Sequence, residues 1–91
     1  MKGMEIDLSA SPERFAIGRS QGSDLRLTNS AVSRTHASIV GKNQSYYLCD
    51  EGSMLGTYLN GRRISPQKKY RVEEGDQIGI GHSEVFEFCL R

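Results

Sequence analysis

No window of twelve residues in this 91-residue chain carries a helical repeat of apolar positions without a glycine or proline cutting it. Short runs instead alternate apolar with polar residues. Turn-forming residues separate these runs about every nine residues, the rhythm of a β-sandwich or barrel. Met4, Ile6 and Leu8 alternate with Glu5 and Asp7 until Ser9 to Glu13, with Pro12, breaks the run. Phe15 and Ile17 alternate again and lead into Gly18-Arg19. Further strands are predicted over 24–27, 36–40, 45–49, 57–59, 62–64, 69–72, 76–80 and 84–90. Gly41-Lys42-Asn43 reads as a turn. The strongest local signal is Asn60-Gly61 between two strand-like runs, because both central positions of a two-residue hairpin turn need positive φ.

The chain is therefore read as all-β, with a core drawn from Ile6, Leu8, Phe15, Ile17, Leu25, Leu27, Ile39, Leu48, Ile64, Ile78, Phe86 and Phe88. Ninety-one residues fit one small domain, spanning 1–91, with no internal repeat, low-complexity tract or linker. The chain starts and stops close to predicted strands, as a module excised from a longer protein would. Twelve basic and eleven acidic side chains leave a net charge of +1, which argues against a general nucleic-acid binder. No signal peptide leads the chain, and no apolar run approaches a membrane span. Cys49 and Cys89 stand far apart in strand-like runs and read as buried, reduced thiols of an intracellular protein. Tyr46, Tyr47, Tyr58 and Tyr70 read as core or sheet-face residues. Lys68, Lys69, Arg71 and Arg62-Arg63 read as a solvated basic face, with a surface for an acidic partner as the alternative.

Chemistry concentrates in three predicted loops, Arg19 to Ser23, Thr28 to Thr35 and Asp50 to Gly56, taken here as one functional end of the fold. Arg19 follows a glycine at a strand end, and Ser33-Arg34-Thr35-His36 packs a hydroxyl, a guanidinium and an imidazole into one short stretch. A guanidinium fork matches phosphate oxygens bidentately. A phosphorylated side chain offers about −1.5 to −2 charges and three strong acceptors. Two arginines and a hydroxyl suit that target. Ser33, His36 and Asp50 also invite a hydrolase reading, but no oxyanion hole or Gly-x-Ser-x-Gly elbow accompanies them, and a structural His36 is the better reading. Two histidines without ligand-like spacing make no metal site, and Gly18 to Gly22 lacks the Gly-Lys-Ser/Thr of a P-loop.

Taken together, Ile17-Gly18-Arg19, Ser23-Asp24-Leu25-Arg26-Leu27, Val32-Ser33-Arg34-Thr35-His36-Ala37, Asp50-Glu51-Gly52-Ser53, Gly56-Thr57-Tyr58-Leu59-Asn60-Gly61 and Gly75-Asp76-Gln77-Ile78 resemble the forkhead-associated (FHA) domain family, in family order and over nearly the whole chain. The resemblance implies a β-sandwich of about eleven short, mostly antiparallel strands. It implies a non-enzymatic, monomeric module that binds phosphothreonine-containing proteins, without cofactor, metal, nucleic acid or membrane. In this likeness Arg19 and Ser33 would hold the phosphate and Arg34 would supply a second contact. Gly18 would shape the first loop, His36 would brace the Ser33 loop, and Gly56 would permit the turn behind the third. One departure stands out. Where the family commonly reads Ser-x-Asn-Gly-Thr, this chain reads Ser53-Met54-Leu55-Gly56-Thr57. Leu55 cannot make the amide hydrogen bond of that asparagine to the peptide backbone. Met54 and Leu55 are thus expected to tune phosphopeptide binding. The alternative is that they turn the domain to phosphate-independent assembly.

Overall fold

The structure, a computed structural model, describes residues 2–6, 14–82 and 84–90. Among these, ten strands and no helix are found: β1 (Lys2–Ile6), β2 (Arg14–Gly18), β3 (Leu25–Arg26), β4 (Ala37–Lys42), β5 (Ser45–Asp50), β6 (Thr57–Leu59), β7 (Arg62–Arg63), β8 (Lys69–Val72), β9 (Gln77–Ile80) and β10 (Glu84–Leu90). They form two five-stranded sheets, ordered β1-β10-β9-β6-β7 and β3-β2-β4-β5-β8. The β1–β10 and β2–β3 ladders are parallel and the others antiparallel. The expected all-β sandwich is thus present, with ten strands described where about eleven were anticipated.

Inward positions of both sheets supply the core. Ile17, Ile39 and Leu48 of one sheet meet Ile78, Ile80, Phe86 and Phe88 of the other, and all are buried. The Tyr46 ring tilts against Phe88 across the sandwich with centroids 5.9 Å apart and an interplanar angle of 56°, within the range of attractive aromatic pairs. Phe15, Leu25 and Leu27 pack only half-buried against this core. The expected core position Leu8 and the side chain of Ile6 lie outside the described residues. On β10 the two-residue period buries Phe86 and Phe88 while Val85 and Glu87 face solvent. Cys89 follows Phe88, falls on the outer phase, and is half-buried rather than buried as expected; Cys49 is buried, and neither is in a disulfide.

Two hairpin turns show how far turn chemistry was readable. Asn60-Gly61 takes φ of 51° and 84°, as its composition demands. The β4–β5 turn falls one residue later than the Gly41-Lys42-Asn43 signal suggested. Lys42 pairs with Ser45, and Asn43-Gln44 occupy positive φ of 51° and 66°. Asn tolerates that conformation; Gln is an unusual occupant, held there by the register of β4 on β5.

Candidate functional site

The loops after β2, before β4 and after β5 are laced together at one end of the sandwich. His36 N–H donates to Ile17 O at 3.0 Å, Arg19 N–H to Ser33 O at 3.0 Å, and Ser20 N–H to Arg34 O at 3.2 Å. The first two loops therefore run on as a ladder beyond the β2–β4 pairing. Gly18 is needed for that closeness: a Cβ there would stand 2.1 Å from the Arg34 carbonyl oxygen. Arg26 Nε donates to Arg19 O at 3.2 Å, fixing the same backbone from the β3 side.

Arg19 is half-buried, and its Nε donates to Val32 O at 2.9 Å. That bond orients the guanidinium, and neither terminal nitrogen has an acceptor among the described residues. Ser33 Oγ accepts from Met54 N–H at 3.1 Å, tying the second loop to the third. The Ser33 hydroxyl hydrogen stays available for an outside acceptor. Arg19, Ser33, Met54 and Leu55 line one depression of about 220 Å³, together with Ser30, Ala31 and Val32. Leu55 is half-buried there, whereas Met54 is 84% exposed. Arg34 is exposed and does not line the depression; its backbone carbonyl accepts from Ser20 N–H.

A buried polar layer lies beneath. His36 is fully buried; Nδ1 accepts from Ser33 N–H at 3.1 Å, and Nε2 lies 2.8 Å from Gly56 O. Because one nitrogen accepts, the other carries the proton and donates to the Gly56 carbonyl. His36 thus clamps the second loop to the third. Gly56, at φ 88°, turns the chain so that its carbonyl meets both His36 and Gly81 N–H. The ring nitrogen on the Ser33 side is occupied by backbone, and Asp50 contacts other groups, so no Ser-His-Asp relay forms. Asp50 accepts instead from the hydroxyls of Ser53 (2.5 Å) and Thr57 (2.6 Å) and from the amides of Gly52 and Ser53 (both 3.2 Å). Ser53 Oγ in turn accepts from Gly56 N–H at 3.0 Å. Sequence reasoning missed this network as the brace of the third loop. The signal was an Asp three residues before a Ser, the spacing of an aspartate-capped turn.

It also missed Val32, 1% exposed, as a core residue within an otherwise polar loop. A larger cavity of about 250 Å³ lies on the outer face of the β10-β9-β6 sheet, lined by Tyr58, Gly61, Gln77, Gly79, Gly81, His82 and Val85, with no arginine or lysine in its wall. Among the described residues no three His, Cys, Asp or Glu side chains are grouped as metal ligands. No helix among them is long and apolar enough to cross a membrane.

These features, with arginine and serine from separate loops meeting at one end of a two-sheet sandwich, define an interaction-module architecture. The FHA domain model matches residues 15–81, and the chain belongs to that family. It is 38% identical to FhaA of Mycobacterium tuberculosis over 69 residues, covering 76% of this chain and 12% of that protein. It is also 38% identical to the oxoglutarate dehydrogenase inhibitor of Corynebacterium jeikeium over 69 residues, covering 76% of this chain and 46% of that protein. The chain thus spans less than half the length of either relative. Among solved structures, a domain studied for phosphothreonine-dependent FHA interactions superposes with TM-score 0.72 at 34% identity, covering 81% of this chain and 74% of that one. The FHA domain of FhaA, complexed with the intracellular domain of another protein, superposes with TM-score 0.71 at 34% identity, covering 81% and 78%.

Proposed function

We propose that this FHA domain binds phosphothreonine-containing segments of a partner protein in the depression between its three loops. The observation that carries the reading is the pairing of unspent donors. Arg19 is oriented by its Nε bond and its terminal nitrogens have no acceptor among the described residues, and Ser33 keeps its hydroxyl hydrogen, on the wall of the same depression. A phosphate bound there takes charge-assisted hydrogen bonds from Arg19 and one from Ser33, and the exposed Arg34 closes over it from the rim. Gly18, His36 and Gly56 hold the loops at this spacing and do not touch the ligand.

Met54 and Leu55 form the apolar side of the site. In this reading they adjust affinity and ligand preference, and the phosphate-independent assembly alternative is set aside, because the polar grip is complete without them. The same proposal has the domain acting as a monomeric, non-catalytic module of a longer intracellular protein, needing no metal, cofactor, nucleic acid or membrane.

Calorimetric titration with a degenerate phosphothreonine peptide pool and its unphosphorylated counterpart, at two salt concentrations, tests the function. Binding at micromolar concentration only with phosphate, and weaker at high salt, is the expected result. Equal binding of both pools would return the assembly reading to first place.

A further inference from the structure

The basic residues that the sequence groups into one face are divided by the fold. Arg62 and Arg63 lie on β7, and the Arg63 side chain crosses Gly56, where an added Cβ would stand 2.6 Å from its Nε. Lys69 and Arg71 lie on β8, at an edge of the other sheet. Strand registers there bring Arg14, Val40, Tyr47 and Arg71 into one row across β2, β4, β5 and β8. On one side of it runs the row of Ala16, Ser38, Cys49 and Lys69; on the other, Lys42 pairs with Ser45. Ile39 and Leu48 alternate with these positions and are fully buried, so both rows and Lys42 belong to the outer face. Val40 and Tyr47 are half-buried and outside the core cluster, while Arg14, Lys42, Lys69 and Arg71 are exposed. Glu51 pairs with Arg14 at 3.0 Å and accepts from the Ser38 hydroxyl at 2.5 Å; Glu73 stands 3.9 Å from Arg71. Lys42 and Lys69 take part in neither ion pair. Around Val40 and Tyr47, four cations thus face two carboxylates. Lysine and arginine on an edge strand commonly keep a sheet edge from pairing, but Lys42 and Arg14 are on β4 and β2, which are inner strands.

We infer that this outer face docks an acidic segment of a partner protein, with carboxylates on Lys42 and Lys69 and an apolar side chain on Val40 and Tyr47. The inference stands apart from the phosphothreonine reading, since none of these residues lines the three-loop depression. Register specifies the segment. Lys42 and Lys69 lie four residues apart along the strand direction and two strands apart across it. At about 3.3 Å per residue and about 4.8 Å per strand, their backbones are roughly 16 Å apart, and the midpoint falls on Tyr47. In an extended segment, residues i, i+2 and i+4 point to one side and span about 13 Å. Acidic residues at i and i+4 with an apolar one at i+2 therefore match the face, the flexible lysine stems closing the remaining distance. A polynucleotide fits less well: its unbroken row of phosphates would meet Glu51 and Glu73 as well as the cations, and the apolar pair would lie under charge.

The test titrates the isotope-labelled chain with an unphosphorylated synthetic peptide, Glu-Ser-Phe-Ser-Glu between serine-glycine flanks, and follows backbone amide shifts by NMR. Saturable shifts are expected at Val40, Tyr47 and Lys69, with a dissociation constant below about 1 mM at low salt and weaker binding at high salt. Lys42→Glu and Lys69→Glu should each lower affinity about three- to tenfold, as one exposed ion pair is lost and a repulsion is added. Arg62→Glu makes the same charge change on β7 of the other sheet and should leave the affinity unchanged. Replacing the peptide phenylalanine with serine should lower it at least about threefold. An oligothymidylate of matching charge should bind more weakly than the peptide. The inference is overturned by the absence of saturable shifts up to about 1 mM peptide, or by shifts confined to the three-loop depression. Affinity that both lysine variants leave intact, or that Arg62→Glu lowers equally, overturns it too. Oligothymidylate binding as tight as that of the peptide would make the face a general polyanion surface and overturn it as well.

Discussion

The loop end of this domain holds two polar layers built on opposite terms. In the outer layer Arg19, Ser33 and Arg34 are half-buried or exposed and keep donors without acceptors among the described residues. In the inner layer His36, Asp50, Ser53 and Thr57 are buried, and no buried side-chain polar atom among the described residues lacks a partner. A donor already paired inside the protein has nothing left for a ligand, and a buried donor left unpaired costs about 1–3 kcal/mol. Under the proposed function, recognition and stability thereby fall to different residues in adjacent layers. Substitutions should separate the two: inner changes lower folding stability, outer changes lower binding.

The largest effect is predicted for Asp50→Ala. It strands two hydroxyls and two amides that share one buried carboxylate. A loss of about 3–5 kcal/mol in urea unfolding is expected, enough to unfold a large share of so small a domain. A loss below about 1 kcal/mol would erase the distinction between the layers. Arg19→Glu should behave in the opposite way. Phosphopeptide affinity should fall at least about a hundredfold, since two charge-assisted bonds are lost and a repulsive charge is added, while unfolding stability changes by no more than about 1 kcal/mol. Unchanged peptide affinity in that variant would remove the phosphate grip from the outer layer.

Gly18→Ala tests the seam between the layers. The added methyl meets the Arg34 carbonyl and must push the first two loops apart. Overpacking of this kind costs about 1–3 kcal/mol, and here peptide affinity should fall together with stability, unlike in either preceding variant. Leu55→Asn sharpens the outer layer alone. One hydrogen bond to the ligand backbone is restored, worth about 1 kcal/mol or up to roughly tenfold in affinity, with little change in unfolding.

The smallest effect concerns the two thiols. Burial raises the Cys49 pKa above the ordinary thiol range, and the Glu51 and Asp50 carboxylates add to the shift against Lys69 and Arg14. The folded state therefore holds the thiol proton more tightly than the unfolded state. The corresponding stability is present below the ordinary thiol pKa and is lost as pH rises through the raised one. Cys49→Ala should flatten the alkaline end of the stability profile. At neutral pH an alkylating reagent should label half-buried Cys89 before Cys49.

Much of the fold was legible because strand information is local. Alternation along Phe15 to Ile17 and Glu84 to Phe88, and the positive-φ demand of Asn60-Gly61, can be read within a few residues. Candidate ligand-contact residues were legible for a different reason: arginine and serine in predicted loops carry few structural duties of their own. The inner layer was far less legible. His36 could be a base, a ligand or a brace on composition alone, and only its contacts with Ser33 and Gly56 distinguish these roles. Cys89 was misjudged because an apolar neighbourhood in sequence does not say which phase of the strand faces inward.

The amino-acid sequence by itself determined that the chain is all-β, where its turns fall to within a residue or so, and which loops gather the arginine and serine side chains proposed to hold a phosphate. All of these depend on period-two alternation and local φ preferences. Tertiary structure alone decided that Arg19, Ser33 and Leu55 share one depression, that Asp50 is a buried brace, and that Arg63 lies across Gly56. Those relations join residues on separate loops and strands. They exist only once two sheets have packed and every buried donor has found its acceptor.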